Sequence, residues 1–170
     1  MLEEKVAIVT GVQREVWERP RLVSSLRRAP VVLTDIDMAG AAIAKEIGRQ
    51  RCLSNTTLQM PRGGNAWSIR PSSDTVAWTY LLTIGVSRPA ALQDADEASF
   101  DFHYRINQLG VFLGMKAVIA SMSASGGSII NVSSLGGMTG FLGVFAYQAT
   151  KWASRGMTKA AAQDLARLRI

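Results

Sequence analysis

Residues 126–166 of this chain read GGSIINVSSLGGMTGFLGVFAYQATKWASRGMTKAAAQDLA. The β-branched run from Ser128 to Ser134 is typical of a buried parallel strand. From Tyr147 onward the spacing becomes helical, which places Tyr147 and Lys151 four residues apart on one helix face. The stretch therefore predicts a strand, a glycine-rich flexible loop and a helix in succession.

Proton transfer is the chemistry that this stretch favours. A tyrosine hydroxyl normally titrates near ~10 and is a poor base at neutral pH, but a lysine ammonium one helical turn away favours the phenolate. Ser134 is placed to hydrogen-bond a substrate oxygen while Tyr147 gives or takes its proton. A Tyr-x-x-x-Lys pair alone is as often a surface pair, and the serine upstream is what favours catalysis. The pattern predicts interconversion of an alcohol and a ketone.

Residues 84–169 resemble the second half of the Rossmann domain of the short-chain dehydrogenase/reductase family. Within that family they are most similar to the NAD-linked, hydroxysteroid dehydrogenase-like members. GGSIINVSS is similar to the strand that carries the family's serine, and YQATK to its Tyr/Lys helix. INQLGVFLGMKAVIASM, residues 106–122, resembles the family's long central helix. The resemblance implies an oxidoreductase.

The resemblance implies a role for each of four side chains. Tyr147 is the expected general acid and base, and Lys151 is expected to favour its ionisation and to bind the nicotinamide ribose. Ser134 is expected to orient the substrate oxygen, since Ser133 lacks the family's spacing to the tyrosine. Asn107 matches the residue that helps to hold a water in the family's proton relay. The resemblance further implies NAD as cofactor, a small-molecule alcohol or ketone as substrate, and a homodimer or homotetramer.

The beginning of the chain predicts the start of a βαβ unit. Residues 4–11 (EKVAIVTG) and 30–37 (PVVLTDID) are predicted strands, and a helix-like stretch follows. An acid at the end of the second strand typically binds the ribose 2′-hydroxyl of NAD, so Asp35 favours NAD over NADP. A helix cap or turn acid is its alternative role. Gly11 and Gly85 are the further cofactor-binding candidates.

Two segments, residues 12–30 and about 51–84, do not match the sequence patterns of the family. Of the phosphate-binding pattern TGxxxGxG, only residues 10–11 survive. Read one base out of frame, the first segment permits TGATGGMG and the second permits a strand that ends in VLVNN. Tryptophan has a single codon, so the shifted reading is fixed at two positions. The codons of Trp17 and the next residue must then encode a glycine, and those of Trp78 and the next residue must encode an aspartate. We interpret both segments as frame-shifted, with ordinary divergence as the alternative.

The whole chain, residues 1–170, is expected to form one NAD-binding Rossmann domain, a doubly wound parallel α/β sheet. The family continues with further strands and a substrate lid, so the sheet is expected to be incomplete at its C-terminal side. Residues 168–170 are expected to begin the next strand. Because the phosphate-binding glycines are missing, a catalytically inactive fragment or pseudogene product is the alternative to an active dehydrogenase.

The net charge of +6 would by itself suggest nucleic-acid or anionic-membrane binding. However, the two divergent segments carry five of the six excess positive charges. A basic nucleic-acid-binding domain is therefore only a remote alternative.

The remaining composition is that of an ordinary cytoplasmic α/β domain. The single cysteine, Cys52, excludes an internal disulfide framework. No signal peptide is expected, and the sequence shows no apolar run of the ~18 residues that a membrane span needs. His103 is expected on a helix surface, and no metal site is expected.

Overall fold

The computed structural model describes residues 5–10, 31–34, 77–82 and 85–170. The strands in these ranges form one sheet, and every neighbouring pair in it is parallel. The order across the sheet is β2-β1-β3-β4. These strands are β1 (Lys5–Thr10), β2 (Val31–Thr34), β3 (Ala77–Leu82) and β4 (Gly127–Asn131). The predicted parallel α/β sheet is confirmed.

The strand order changes direction beside β1. The chain passes from β1 to β2 on one side and returns to place β3 on the other, so that Val9 lies between Leu33 and Leu81. In doubly wound sheets, ligands bind outside the carboxyl ends of the strands at such a switch point. A ligand site is therefore expected among the residues that follow β1, β3 and β4.

A long helical stretch connects β3 to β4, as predicted. It consists of α1 (Glu97–His103), a π-helical turn (Tyr104–Leu109) and α2 (Gly110–Met122). The Asp96 side chain caps α1 by accepting a hydrogen bond from the Ser99 N–H at 2.7 Å. The π-helical turn was not predicted, and such turns often occur at functional sites.

The third helix, α3, spans Phe145–Leu165 and so contains the predicted Tyr/Lys pair. β4 ends at Asn131, three residues before Ser134, and a short 3-10 turn over Leu135–Gly137 follows. Ser134 therefore caps a turn and does not lie in the strand, because the chain must leave the sheet before α3 begins. None of the helices in the described part of the chain is long and apolar enough to cross a membrane.

The prediction that residues 168–170 begin a strand is wrong. A 3-10 turn over Ala166–Leu168 follows α3, and Arg169 adopts a left-handed conformation with φ of 58°. The Arg169 carbonyl accepts a hydrogen bond from the Gly127 N–H at 3.1 Å. The chain therefore turns back to the start of β4 at this point.

The buried core lies between α2 and the sheet. Apolar residues spaced four, three and four apart form a stripe along α2, which is the period of a helix face packed on a core. Tyr80 in β3 lies beneath this stripe, and Ile129 in β4 packs against its edge. The stripe consists of Val111, Met115, Val118 and Met122.

The prediction of a surface position for His103 is wrong, because the imidazole is fully buried. Its Nε2 accepts a hydrogen bond from the Arg88 N–H at 2.9 Å, so the proton must lie on Nδ1. Nδ1 in turn donates to the Ser99 carbonyl at 2.7 Å. The segment after β3 packs over α1 and covers this side chain, with the Arg88 guanidinium 3.6 Å from the Phe102 ring centroid.

We predict that Tyr80→Phe stabilises the fold. The Tyr80 hydroxyl is buried without a hydrogen-bond partner in the part of the chain that the structure describes, and burial raises the pKa of Tyr80. An unpaired buried polar group costs about 1–3 kcal/mol, so its removal is expected to raise the free energy of unfolding by about 1 kcal/mol. Urea denaturation measures this change, with the exposed Tyr104→Phe as control. Equal effects of the two substitutions would contradict the prediction.

Candidate active site

Lys151 is buried on α3, where the helix passes the end of β4. Its Nζ donates a hydrogen bond to the Val132 carbonyl at 3.3 Å. A Cβ added to Gly85 would lie 3.0 Å from the same Nζ, so the backbone after β3 also lies against the ammonium. Because burial disfavours the charged form, it lowers the pKa of Lys151. Nζ lies 5.8 Å from the ring centroid of Tyr147.

The two neighbouring serines have different roles. Ser133 Oγ donates to the Lys151 carbonyl at 2.9 Å and so ties the backbone after β4 to α3. The Ser134 hydroxyl oxygen accepts from the Gly136 N–H at 3.1 Å. Its hydroxyl hydrogen is donated to none of the described residues, and the residue is only partly buried. Ser134 is therefore the serine that can still donate to a substrate oxygen.

Gly136 marks the place where the serine and the tyrosine meet. A Cβ at this position would lie 3.7 Å from Ser134 Oγ and 3.5 Å from Tyr147 Cε1. It would also lie 3.2 Å from Gln148 Cγ. The turn after β4 thus brings the serine hydroxyl and the phenol ring to the same side of α3.

The Asn107 side chain lies in the π-helical turn and is fully buried. Its Oδ1 accepts from the Val86 N–H, and its Nδ2 donates to the Val86 carbonyl, both at 2.8 Å. Nδ2 also donates to Thr150 Oγ1 at 3.2 Å. Asn107 therefore fixes the residue after Gly85 to the residue before Lys151. Its predicted role in holding a water stays a prediction.

The structure brings together five of the predicted site residues. Ser134, Tyr147 and Lys151 lie where the chain passes from β4 to α3, and Gly85 lies beside the lysine. Asn107 connects the segment after Gly85 to α3 through its hydrogen bonds. The arrangement places a hydroxyl donor and a phenol near a buried ammonium, which suits acid-base chemistry at a substrate oxygen.

Gly11 and Asp35, the other two cofactor-binding candidates, lie outside the described residues. β1 ends at Thr10 and β2 ends at Thr34, so each candidate directly follows the carboxyl end of its strand.

Comparison with known proteins identifies the family. The family described as short chain dehydrogenase matches residues 81–170. The chain belongs to the short-chain dehydrogenase family. This family match begins close to the place where the second divergent segment of the sequence ends.

Curated relatives match almost the whole length of this chain. Trans-4-hydroxycyclohexanecarboxylate dehydrogenase of Sinomonas cyclohexanicum is 33% identical, over 95% of this chain and 67% of the relative. The 3-alpha-(or 20-beta)-hydroxysteroid dehydrogenase of Mycobacterium bovis is 31% identical, over 95% of this chain and 63% of the relative. The chain thus spans about two thirds of the length of these relatives.

Solved structures support the same fold. The apo form of LigO from Sphingobium sp. strain SYK-6 is 22% identical, with a TM-score of 0.78 over 99% of this chain and 66% of that chain. ElxO with NADP bound is 20% identical, with a TM-score of 0.71 over 98% of this chain and 70% of that chain. At these identities the likeness shows the fold alone.

Sequence reasoning missed several residues that surround the candidate site. Gln148 and Thr150 lie inside the YQATK motif and were not assigned a role, because the sequence did not predict their burial. Ser133 was set aside by its spacing, yet its hydroxyl anchors the lysine backbone. Gly137 was placed in a flexible loop, but it is buried against Ser133 and Lys151.

We predict that Gly137→Ala destabilises the site. The added Cβ would lie 2.5 Å from Ser133 Oγ and 2.8 Å from the Lys151 carbonyl oxygen, and neither can retreat without breaking the bond between them. Such overpacking costs about 1–3 kcal/mol in the free energy of unfolding, measured by urea denaturation. Gly140→Ala is the matched control, since its Cβ would meet nothing within 4 Å. A loss no larger than that of the control would contradict the prediction.

We predict that the stability difference between the wild type and Lys151→Met depends on pH. Folding lowers the pKa of Lys151. Between neutral pH and the ordinary lysine value of 10.5, the unfolded chain therefore binds more protons at this residue than the folded chain does. In that window the wild type gains free energy of unfolding relative to the variant. The variant is expected to be the more stable protein at pH 7, with a difference that narrows by pH 10 in urea denaturation. A constant difference would be evidence against the burial of a charge here.

Proposed function

We propose that residues 85–170 form the catalytic half of an oxidoreductase that interconverts a secondary alcohol and a ketone with NAD(H). The observation that carries this proposal is the buried Lys151 ammonium near the Tyr147 ring, with the partly exposed Ser134 hydroxyl beside the same ring. Membership of the short-chain dehydrogenase family supports the reaction class.

In the proposed mechanism, Tyr147 moves the proton of the substrate oxygen. Its hydroxyl gives a proton to the oxygen during ketone reduction and takes one during alcohol oxidation. Ser134 donates its hydroxyl hydrogen to the same oxygen and so fixes the substrate. Lys151 stabilises the phenolate by its charge, which acts strongly because the ammonium is buried. Asn107 acts through Val86 and Thr150, and is therefore a positioning residue in this scheme.

A nicotinamide cofactor, when bound, supplies or accepts the hydride. The Lys151 ammonium lies directly against the backbone at Gly85, since a Cβ added there would lie 3.0 Å from Nζ, so a ribose would have to reach this ammonium from another side. Lys151 and Tyr147 would hold that ribose, and Gly11 would lie near the phosphates. Asp35 favours NAD, since a carboxylate repels the extra phosphate of NADP. ElxO carries NADP in its solved structure, so the choice between the two cofactors needs a direct test.

A ring-bearing, apolar secondary alcohol is the substrate class that we propose. Large apolar side chains in the loop before α3 are exposed beside the site, with Leu135 70%, Met138 61% and Leu142 98% exposed. The segment 135–148 contains no charged residue. The relatives named above act, by their names, on a hydroxycyclohexanecarboxylate and on hydroxysteroids.

A second candidate is that this chain itself is an inactive copy of such an enzyme. The pattern TGxxxGxG is reduced to its first two residues, 10–11, and a glutamate, a tryptophan and a proline occupy the turn that would hold the pyrophosphate. Cofactor positioning supplies much of the catalysis in hydride transfer. The proposed catalytic residues would then be in place, but the chain would bind no cofactor for them to act with.

A homodimer or homotetramer is also proposed. Aromatic side chains on α2 and α3 are exposed, with Phe112 43%, Phe145 43% and Trp152 49% accessible. Such exposed aromatic surface supports contact with a second copy of the chain. A single domain and a cytoplasmic location stay predictions of the sequence.

We predict no NADH-dependent turnover from the present chain, and turnover from a version with residues 12–30 and 51–84 replaced by their shifted-frame readings. Cyclohexanone and a steroid ketone serve as substrates, and absorbance at the nicotinamide band follows the reaction with NADH and NADPH in parallel. Tyr147→Phe in the repaired protein is expected to lower kcat at least about 100-fold, whereas Tyr104→Phe should not.

Each result of this assay has a defined meaning. A repaired protein that binds NADH but reduces no ketone would overturn the proposed site. Turnover by the present chain at the repaired rate would overturn the inactive-copy candidate. Faster turnover with NADPH would overturn the assignment of Asp35.

A further inference from the structure

Gln148 is a buried polar side chain that the proposed chemistry does not use. It follows Tyr147 on α3 and is only 9% exposed. Its Oε1 accepts from the Phe141 N–H at 2.7 Å, and its Nε2 donates to the Phe141 carbonyl at 2.6 Å. Two hydrogen bonds to the backbone of one residue imitate the pairing of a neighbouring β-strand. The amide therefore holds Phe141 at a fixed place relative to the start of α3.

The loop that contains Phe141, residues 138–143, has little else to hold its middle. Leu142 is 98% exposed, and a Cβ on Gly140 would meet nothing within 4 Å. The chain turns at Gly143, whose φ of 75° belongs to the left-handed region. The Met138 and Thr139 N–H groups bond the Leu135 carbonyl at the start of the loop. An exposed apolar loop of this kind gains little from burial, so its middle is held by the two hydrogen bonds between Gln148 and Phe141.

The same side chain contacts the turn that bears the serine. A Cβ on Gly136 would lie 3.2 Å from Gln148 Cγ, so the stem of the glutamine packs directly on this turn. Within the same small space are Ser134 Oγ and Tyr147 Cε1. The glutamine stem, the serine hydroxyl and the tyrosine ring therefore surround the same glycine.

We propose that Gln148 is a positioning residue for the site. It fixes the apolar loop 138–143 beside Tyr147 and Ser134, and so sets the shape of the surface on which a neutral substrate would lie. It acts through Phe141 and Gly136 and does not touch the reacting atoms. That this is a catalytic site rests on the proposed function, but the positions of the loop and of Tyr147 are measurable in the folded chain without turnover.

Hydrogen exchange at the Phe141 amide tests the first part of the proposal. Gln148→Leu keeps the volume and removes both hydrogen bonds, so the Phe141 amide is expected to exchange about tenfold faster. Gln163→Leu is the matched control, because it makes the same substitution at an exposed position of the same helix. Equal Phe141 protection in the two variants would overturn the proposal.

Gln148→Glu tests the same two hydrogen bonds without changing the size of the side chain. An ionised carboxylate can accept from the Phe141 N–H but cannot donate to the Phe141 carbonyl, whereas the protonated carboxyl can do both. The protection factor at Phe141 is expected to equal that of the wild type at acidic pH and to fall as the carboxyl ionises. Because this variant is isosteric with the wild type, it also decides the matter if Gln148→Leu fails to fold. A protection factor independent of pH, relative to the wild type, would refute the two-bond clamp.

The link to the tyrosine is tested by NMR of the chain labelled with 13C at the tyrosine ring carbon that bears oxygen. Tyr147→Phe identifies the Tyr147 signal among those of the three tyrosines. Gln148→Leu is expected to shift this signal, and Gln163→Leu is expected to leave it in place. An unmoved signal in Gln148→Leu would show that the glutamine does not position the site. A failure of the alcohol assay would leave these results unchanged, so the two proposals can fail separately.

Discussion

The burial of one positive charge is the constraint on which the rest of the site depends. The Lys151 ammonium is removed from water, so it needs hydrogen-bond acceptors within the surrounding protein. The Val132 carbonyl lies in reach only because the chain leaves β4 directly beneath α3. The close approach requires glycine at position 137, where a Cβ would lie 2.8 Å from the Lys151 carbonyl oxygen, and a Cβ at position 85 would crowd the lysine ammonium at 3.0 Å. Backbone packing and charge burial are thus two aspects of one arrangement.

Two buried amide side chains fasten the loops at the carboxyl ends of the strands. Asn107 bonds both backbone groups of Val86, after β3, and Gln148 bonds both backbone groups of Phe141, after β4. Loops at this edge of a doubly wound sheet carry the functional groups and have no strand neighbours of their own. A side-chain amide supplies one donor and one acceptor together, and so replaces the missing neighbour. The helices thereby impose their rigidity on the loops.

The divergent segment before residue 85 shows how far a fold tolerates a changed sequence. β3 lies inside this segment and still pairs with β1 and β4, because AWTYLL is rich in aromatic and apolar residues that suit a buried strand. The mismatch is local: the Tyr80 hydroxyl is buried and finds no partner among the described residues. An unpaired group at a central strand fits the hypothesis of a shifted reading frame, which stays a prediction.

The sequence by itself determined the features that depend on near neighbours. The β-branched runs predicted β1, β2 and β4, whereas the printed residues of β3 did not predict a strand. The spacing of four between Tyr147 and Lys151 predicted that both lie on one helix, because this pattern depends only on residues close in sequence. The tertiary structure alone decided the burial of His103 and the hydrogen bond from Ser133 to the backbone of Lys151. The partner of His103 lies 15 residues away and that of Ser133 lies 18 away. No local pattern encodes which backbone group will face a side chain across such a distance, because that pairing exists only after the elements have packed.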